Sequence, residues 1–205
     1  MTGRAADSPR PPPDVASAPR PTGARVITLP PWAVVSDGRR SHIARVVEVI
    51  AIWAAALALP AVERAAWEDA ARWHDALRDA PEAMLRAILG DDARDAGLDA
   101  AILHGPAAAA RLVADGERRA DVLDAVRWHT IGSVTWDRTG QALYMADFLE
   151  PGRTFARAER AALAERVPRD FEGAFRDVVQ MRVRWAVNAG KPLAPQTVAL
   201  WNAAR

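Results

Sequence analysis

The chain has 205 residues, 50% of them apolar and 26% charged, with a formal net charge of +1. That near balance excludes a general nucleic-acid binder, which carries a strong basic excess. Cysteine is absent and Lys191 is the only lysine. Disulfide scaffolds, thiolate zinc sites and thiol nucleophiles are therefore excluded, and a lysine-dependent P-loop has a single possible position.

Eight of the 15 prolines lie within residues 9–31, among Gly, Ser, Ala and Arg. Such a stretch has little to bury and cannot sustain a helix, so 1–36 reads as a disordered Pro/Arg-rich tail. It lacks the run of about 7–15 apolar residues that a secretory signal requires. The longest apolar run, 49–62, is broken by Pro60 and falls short of the roughly 20 residues that span a bilayer. A buried helix in a cytoplasmic protein without a membrane partner is the expectation.

From residue 41 onward the chain reads as helical. Ser41 is placed to cap a helix running through Ile50 to Leu59, where Pro60 stops it. A second helix is expected over 62–77, with Trp67, Ala70, Ala71 and His74 on one face at i, i+3, i+4 and i+7. Pro81 opens a third through Leu89, ended by Gly90. Pro106 reads as a first-turn proline for a helix over 107–113, with Gly116 as its stop. Further helices are expected at 121–129, 138–149, 156–167, 171–187 and 195–203. No stretch alternates with period two for long enough to make a strand, so the fold class is all-α over 37–205. At helical spacing Trp53, Trp67, Trp73 and Trp185 read as core, whereas Trp136, in a loop rich in Ser, Thr and Asp, is a candidate for stacking on a purine.

The four histidines, His42, His74, His104 and His129, each fall near an expected helix end. Asp147 interrupts the apolar run 142–149, and Asp75 sits between Trp73 and Leu77. An ionised carboxylate on a buried helix face is costly unless it is paired or bound to metal. Imidazoles and carboxylates together form an N/O donor set suited to iron, manganese or zinc.

The order of these residues, with their neighbours, resembles the HD-domain metal-dependent phosphohydrolases, and more narrowly the YqeK-like symmetrical bis(5'-nucleosyl)-tetraphosphatases. The resemblance rests on Ser41-His42, on Trp73-His74-Asp75-Ala76-Leu77-Arg78, and on Leu103-His104-Gly105-Pro106. It continues through Trp128-His129-Thr130-Ile131-Gly132 and Tyr144-Met145-Ala146-Asp147 into Glu150-Pro151-Gly152-Arg153. It covers 41–164. It implies a helical bundle with a dinuclear site: His42, His74 and Asp147 on one metal, Asp75 bridging, and His104 with His129 on the other. The implied metals are iron first, with manganese, zinc, magnesium or cobalt as alternatives.

The implied reaction is symmetric cleavage of a dinucleoside tetraphosphate, diadenosine tetraphosphate above all, to two nucleoside diphosphates by a hydroxide bridging the cations. Arg78 and Arg153 are the candidates for neutralising phosphoryl charge, with Arg127 a lesser one. Thr130 and Gly132 are expected to shape a turn close to the substrate. Arg78 departs from the family pattern, which has lysine there, and the Asp- and Ala-rich segment 91–101 and the proline-rich tail are not family features. A broader nucleotidase and a catalytically silent nucleotide-binding regulator are the alternative functions. The expected partner is a small dinucleotide, not nucleic acid, and a homodimer is left open.

Overall fold

The computed structural model describes residues 27–90 and 97–204. Residues 1–26 of the expected tail and 91–96 of the Asp- and Ala-rich segment lie outside the described residues. Among the described residues there are nine helices and no strand: α1 (Asp37–Ala56), α2 (Ala61–Trp73), α3 (Glu82–Leu89), α4 (His104–Ala114), α5 (Ala120–Trp128), α6 (Arg138–Leu149), α7 (Arg157–Arg166), α8 (Phe171–Asn188) and α9 (Pro195–Ala203). The all-α expectation holds. No helix among them is long and apolar enough to cross a membrane.

The start of α1 corrects one expectation. Ser36, not Ser41, is the N-cap, its Oγ accepting from the Arg39 N–H at 3.3 Å. Asp37 then places a negative charge in the first turn, where the helix dipole favours it. Ser41 lies one turn inside, its hydroxyl donating to the Asp37 carbonyl at 2.9 Å.

The end of α2 corrects another. The helix stops at Trp73, and residues 74–79 form turns. Those turns are held by the segment before α1: the Val34 N–H donates to the Ala76 carbonyl at 2.8 Å, the Asp79 N–H to the Val34 carbonyl at 3.2 Å, and the Ser36 N–H to the Asp79 carboxylate at 2.7 Å. His74 and Asp75 therefore project from a pinned turn rather than from a helix face.

The same contacts correct the extent of the tail. Residues 27–36 carry Ile27, Leu29, Trp32, Val34 and Val35, and Ile27 is buried in the core while the other four pack against it. Proline content outweighs these apolar side chains in a compositional reading, yet burial is what orders the segment. Deleting residues 1–35 is accordingly expected to lower the melting temperature. Loss of Ile27 burial alone is worth about 1.5–3 kcal/mol, and a truncation that melts like the full chain would show that the segment does not stabilise the fold.

The core is built around α6, which packs against α1, α2, α5, α7 and α8. Ten of its residues are buried, from Thr139 to Leu149, so it faces protein on nearly every side. α4 starts at His104, with Pro106 in its first turn, where a missing N–H removes no helical bond. Trp53 and Trp67 are buried as expected and Trp73 is partly so. Trp185 is not core: it is 44% exposed near the end of α8. Trp136 is core rather than a free stacking surface. Its ring lies 5.4 Å from that of Tyr144, and its indole N–H donates to the Asp124 carbonyl at 3.3 Å.

Candidate metal centre

Six side chains from separate elements meet inside the bundle: His42 from α1, His74 and Asp75 from the turn after α2, His104 at the start of α4, His129 just after α5, and Asp147 from α6. All six are buried, and His74 is fully so.

Asp75 stands between two histidine pairs. Its Oδ2 lies 3.6 Å from His42 Nε2 and 3.4 Å from His74 Nε2. Its Oδ1 lies 3.2 Å from His104 Nε2 and 3.3 Å from His129 Nε2. Asp147 closes the first pair, with Oδ1 at 3.2 Å from His42 Nε2. Ligand atoms of His42, His74 and Asp147 fall within 4.8 Å of one another, as do those of His74, Asp75 and His129.

The outer ring nitrogens fix the tautomers. His74 Nδ1 donates to the Ala71 carbonyl at 2.8 Å and His129 Nδ1 to the Val126 carbonyl at 2.8 Å. His42 Nδ1 faces Glu150 Oε1 at 3.1 Å. A neutral imidazole whose Nδ1 carries the proton points a lone pair from Nε2. Those Nε2 atoms nevertheless face each other, His42 to His74 at 3.4 Å and His104 to His129 at 3.1 Å. Lone pairs converging at that range repel unless an electrophile or a proton lies between them. The donor set, its second contacts and its convergence therefore fit bound cations. His104 Nδ1 is the exception, buried without a hydrogen-bond partner among the described residues.

The electrostatics follow from this crowding. Burial pushes the His104 imidazole down to about 4 against the pull of Asp75, leaving it neutral and able to ligate. Burial also opposes charge on His42, but hydrogen bonds to Asp147 and Glu150 outweigh it and lift that group to about 9. A cation seated there at neutral pH must displace the His42 proton. For Asp75, burial works toward protonation, yet the electrostatic pull of the neighbouring His74 and the close contacts of the His104 and His129 rings hold the carboxyl well below its usual range. Asp147 behaves likewise, its burial offset by the Arg153 charge and the His42 hydrogen bond.

Arg153 donates through Nη2 to Asp147 Oδ1 at 2.6 Å and through Nε to the Asp147 carbonyl at 2.9 Å. Thr130 places its hydroxyl 3.2 Å from His129 Nε2 and 3.4 Å from His104 Nε2. Arg78 donates to the Ala101 carbonyl at 3.2 Å and lies close enough to His104 to disfavour its cation. Arg127 lies over the Trp128 ring, 5.1 Å from its centroid. Gly132 has a simpler explanation than substrate approach. Its φ is +89°, and a Cβ there would lie 2.5 Å from Leu200 Cδ2 of α9. Packing against α9 and the left-handed backbone both call for glycine.

Three further residues, for which the sequence led us to expect no role, complete the centre. Arg39 donates to Asp75 Oδ2 at 2.6 Å. Arg182, on α8, lies over the Tyr144 ring, 3.9 Å from its centroid, and donates to the Thr130 carbonyl at 3.2 Å and to Asp147 Oδ2 at 3.4 Å. Glu150 is fully buried; burial would raise its carboxyl, but His42, Arg45 and the Gly152 N–H hold it down to about 2. The turn that follows is fastened by buried Arg160, which donates to the carbonyls of Phe148, Glu150, Arg153 and Phe155. Only Glu150 had a sequence signal, in its place before Pro151-Gly152-Arg153.

No protein-family model matches the chain. A protein of Halalkalibacterium halodurans named "Bis(5'-nucleosyl)-tetraphosphatase, symmetrical" is 28% identical over 102 residues, 49% of this chain and 54% of that protein. One of the same name from Bacillus subtilis is 26% identical over 140 residues, 66% of this chain and 74% of that protein. A third, from Staphylococcus aureus, is 39% identical over 67 residues, 32% of this chain and 34% of that protein. The chain thus spans about half the length of the first of these relatives. A crystal structure from Clostridium acetobutylicum, described as a predicted HD superfamily hydrolase involved in NAD metabolism, superposes with a TM-score of 0.68 at 23% identity, over 83% of this chain and 90% of that one. The chain has the HD-domain fold and is similar in sequence to the symmetrical bis(5'-nucleosyl)-tetraphosphatases, the branch its motifs resemble.

Proposed function

We propose that this protein is a metal-dependent phosphohydrolase that cleaves dinucleoside tetraphosphates, diadenosine tetraphosphate first among them, symmetrically into two nucleoside diphosphates. The observation that carries this reading is Asp75, buried between two histidine pairs and presenting one oxygen to each. Such a carboxylate suits a pair of cations, iron first, with His42, His74 and Asp147 holding one and His104 and His129 the other. When bound, the cations activate water near neutral pH and offset the charge of the phosphoryl oxygens.

The chain's own residues supply the rest. Asp75 fixes the spacing of the two halves, and the Nδ1 partners Ala71, Val126 and Glu150 hold three imidazoles in the ligating tautomer. Arg153 and Arg182 converge on Asp147 and bring positive charge to the same side of the centre. A planar guanidinium grips phosphate oxygens in a fork and stays charged at any working pH, so both arginines, and Arg78 beside His104, are suited to the polyphosphate. Symmetric cleavage breaks the P–O bond between the second and third phosphorus atoms, and the oxygen of water enters one of the two diphosphates.

The test is anaerobic purification, metal analysis and identification of the products from diadenosine tetraphosphate. Two ADP per substrate are expected. ATP with AMP would overturn the symmetric assignment, and cleavage confined to mononucleotides would favour the broader nucleotidase.

A further inference from the structure

The metal centre accounts for the buried imidazoles and carboxylates but not for the aromatic surface beside it. Trp185 leaves 44% of its surface exposed, although the same helix buries Val178, Val179 and Val183. Its ring is not loose. It stacks on Phe155 with centroids 6.2 Å apart and planes 25° from parallel. The Lys191 ammonium lies 4.6 Å from the indole centroid.

Both rings adjoin arginines that point into the centre. Trp185 is three residues beyond Arg182 on α8, and side chains at that spacing are neighbours on one helix face, roughly 5–6 Å apart at Cβ. Arg182 reaches Asp147 Oδ2 and the Thr130 carbonyl. Phe155 is two residues beyond Arg153, which holds Asp147 Oδ1 at 2.6 Å. An aromatic stack thus sits next to a cationic rim, and that rim leads to a buried carboxylate of the centre.

We infer that Trp185, stacked on Phe155, is the platform for one nucleobase of the dinucleotide substrate, with the Lys191 ammonium, which lies over the ring, moving aside to admit the base. This rests on the proposed function. A purine offers a flat face to the indole, and its attached phosphates are drawn along Arg182 and Arg153. Lys191 is exposed, so its long side chain yields the ring face to an incoming base while its charge stays near the phosphates. The occupant is identified by charge as well as shape: an aromatic ring carrying several negative charges complements two guanidinium groups and an ammonium.

The experiment compares binding of ADP and of inorganic pyrophosphate to the wild type, Trp185→Ala and Trp185→Phe by titration calorimetry. A stacked base is worth enough that Trp185→Ala should weaken ADP at least about fivefold. Pyrophosphate, which has no base, should bind all three alike, and Trp185→Phe should recover most of the ADP affinity. Unchanged ADP binding in Trp185→Ala overturns the platform, as does an equal loss for ADP and pyrophosphate. Wild-type protein that yields two ADP while Trp185→Ala binds ADP normally sinks the platform and leaves the proposed function standing. Wild type that neither cleaves the tetraphosphate nor binds ADP sinks both.

Discussion

Asp75→Asn is expected to abolish turnover and to strip the protein of metal in the same step. The two oxygens of Asp75 divide four imidazoles into pairs, His42 with His74 and His104 with His129. Asparagine keeps the volume but offers one acceptor, and its amide N–H2 turns a donor toward ring nitrogens that must themselves act as donors of lone pairs to a cation. One half of the centre then faces a group that cannot ligate, and the other has lost its charge. Partners that only orient metal ligands cost about 10- to 100-fold in affinity when removed, and loss of the group shared by both halves should exceed that range. The fold should survive, because the shape of the residue is kept and the turn is held by the Val34, Ser36 and Asp79 backbone contacts. Elemental analysis, ADP release and circular dichroism on one preparation decide it. A folded, metal-replete, active Asp75→Asn protein would overturn the proposed place of Asp75 between two cations and with it the basis of the proposed mechanism.

That His42, His74, Asp75, His104, His129 and Asp147 come together in the fold was legible through the motifs that carry them, and buried charge made one of them conspicuous. Asp147 in an apolar run has no cheap structural explanation, and histidine is scarce enough that each occurrence stands out. The helices α6 and α9 were legible to the residue because turn residues or prolines bound them. What composition hid was the work of ordinary-looking residues whose role depends on tertiary placement. Arg39 and Arg182 look like two more arginines on helices, and only folding brings them to Asp75 and Asp147. The packing of residues 27–36 was masked by their prolines, although their apolar side chains are what the core uses. Trp136 and Trp185 exchanged their expected roles for a related reason. Loop position does not imply exposure when a ring can be tucked against Tyr144, and helical spacing does not imply burial where a helix outruns the core.

Gly105→Ala is expected to damage the centre without touching any of its ligands. Gly105 follows His104 in the first turn of α4, and its absent side chain is what lets α4 approach the end of α5. A Cβ there would lie 2.7 Å from the Arg127 carbonyl oxygen and 2.9 Å from that of Val126. Both obstacles are backbone, so neither can swing away as a side chain would, and the two helices must part. The Val126 carbonyl is also the acceptor that orients His129 through Nδ1. One methyl group therefore pushes His104 away from His129, now 3.1 Å apart at Nε2, and disturbs the hydrogen bond that aims His129. Overpacking of this kind costs about 1–3 kcal/mol in stability. A displacement near 1 Å at a catalytic centre costs on the order of 10²-fold in rate. Gly38→Ala supplies the comparison, since a Cβ at that exposed position on α1 meets nothing within 4 Å; it should melt no lower than the wild type and retain full metal content. If Gly105→Ala matches Gly38→Ala in melting temperature, metal content and ADP release, the close approach of α4 to α5 is not what holds the second histidine pair together.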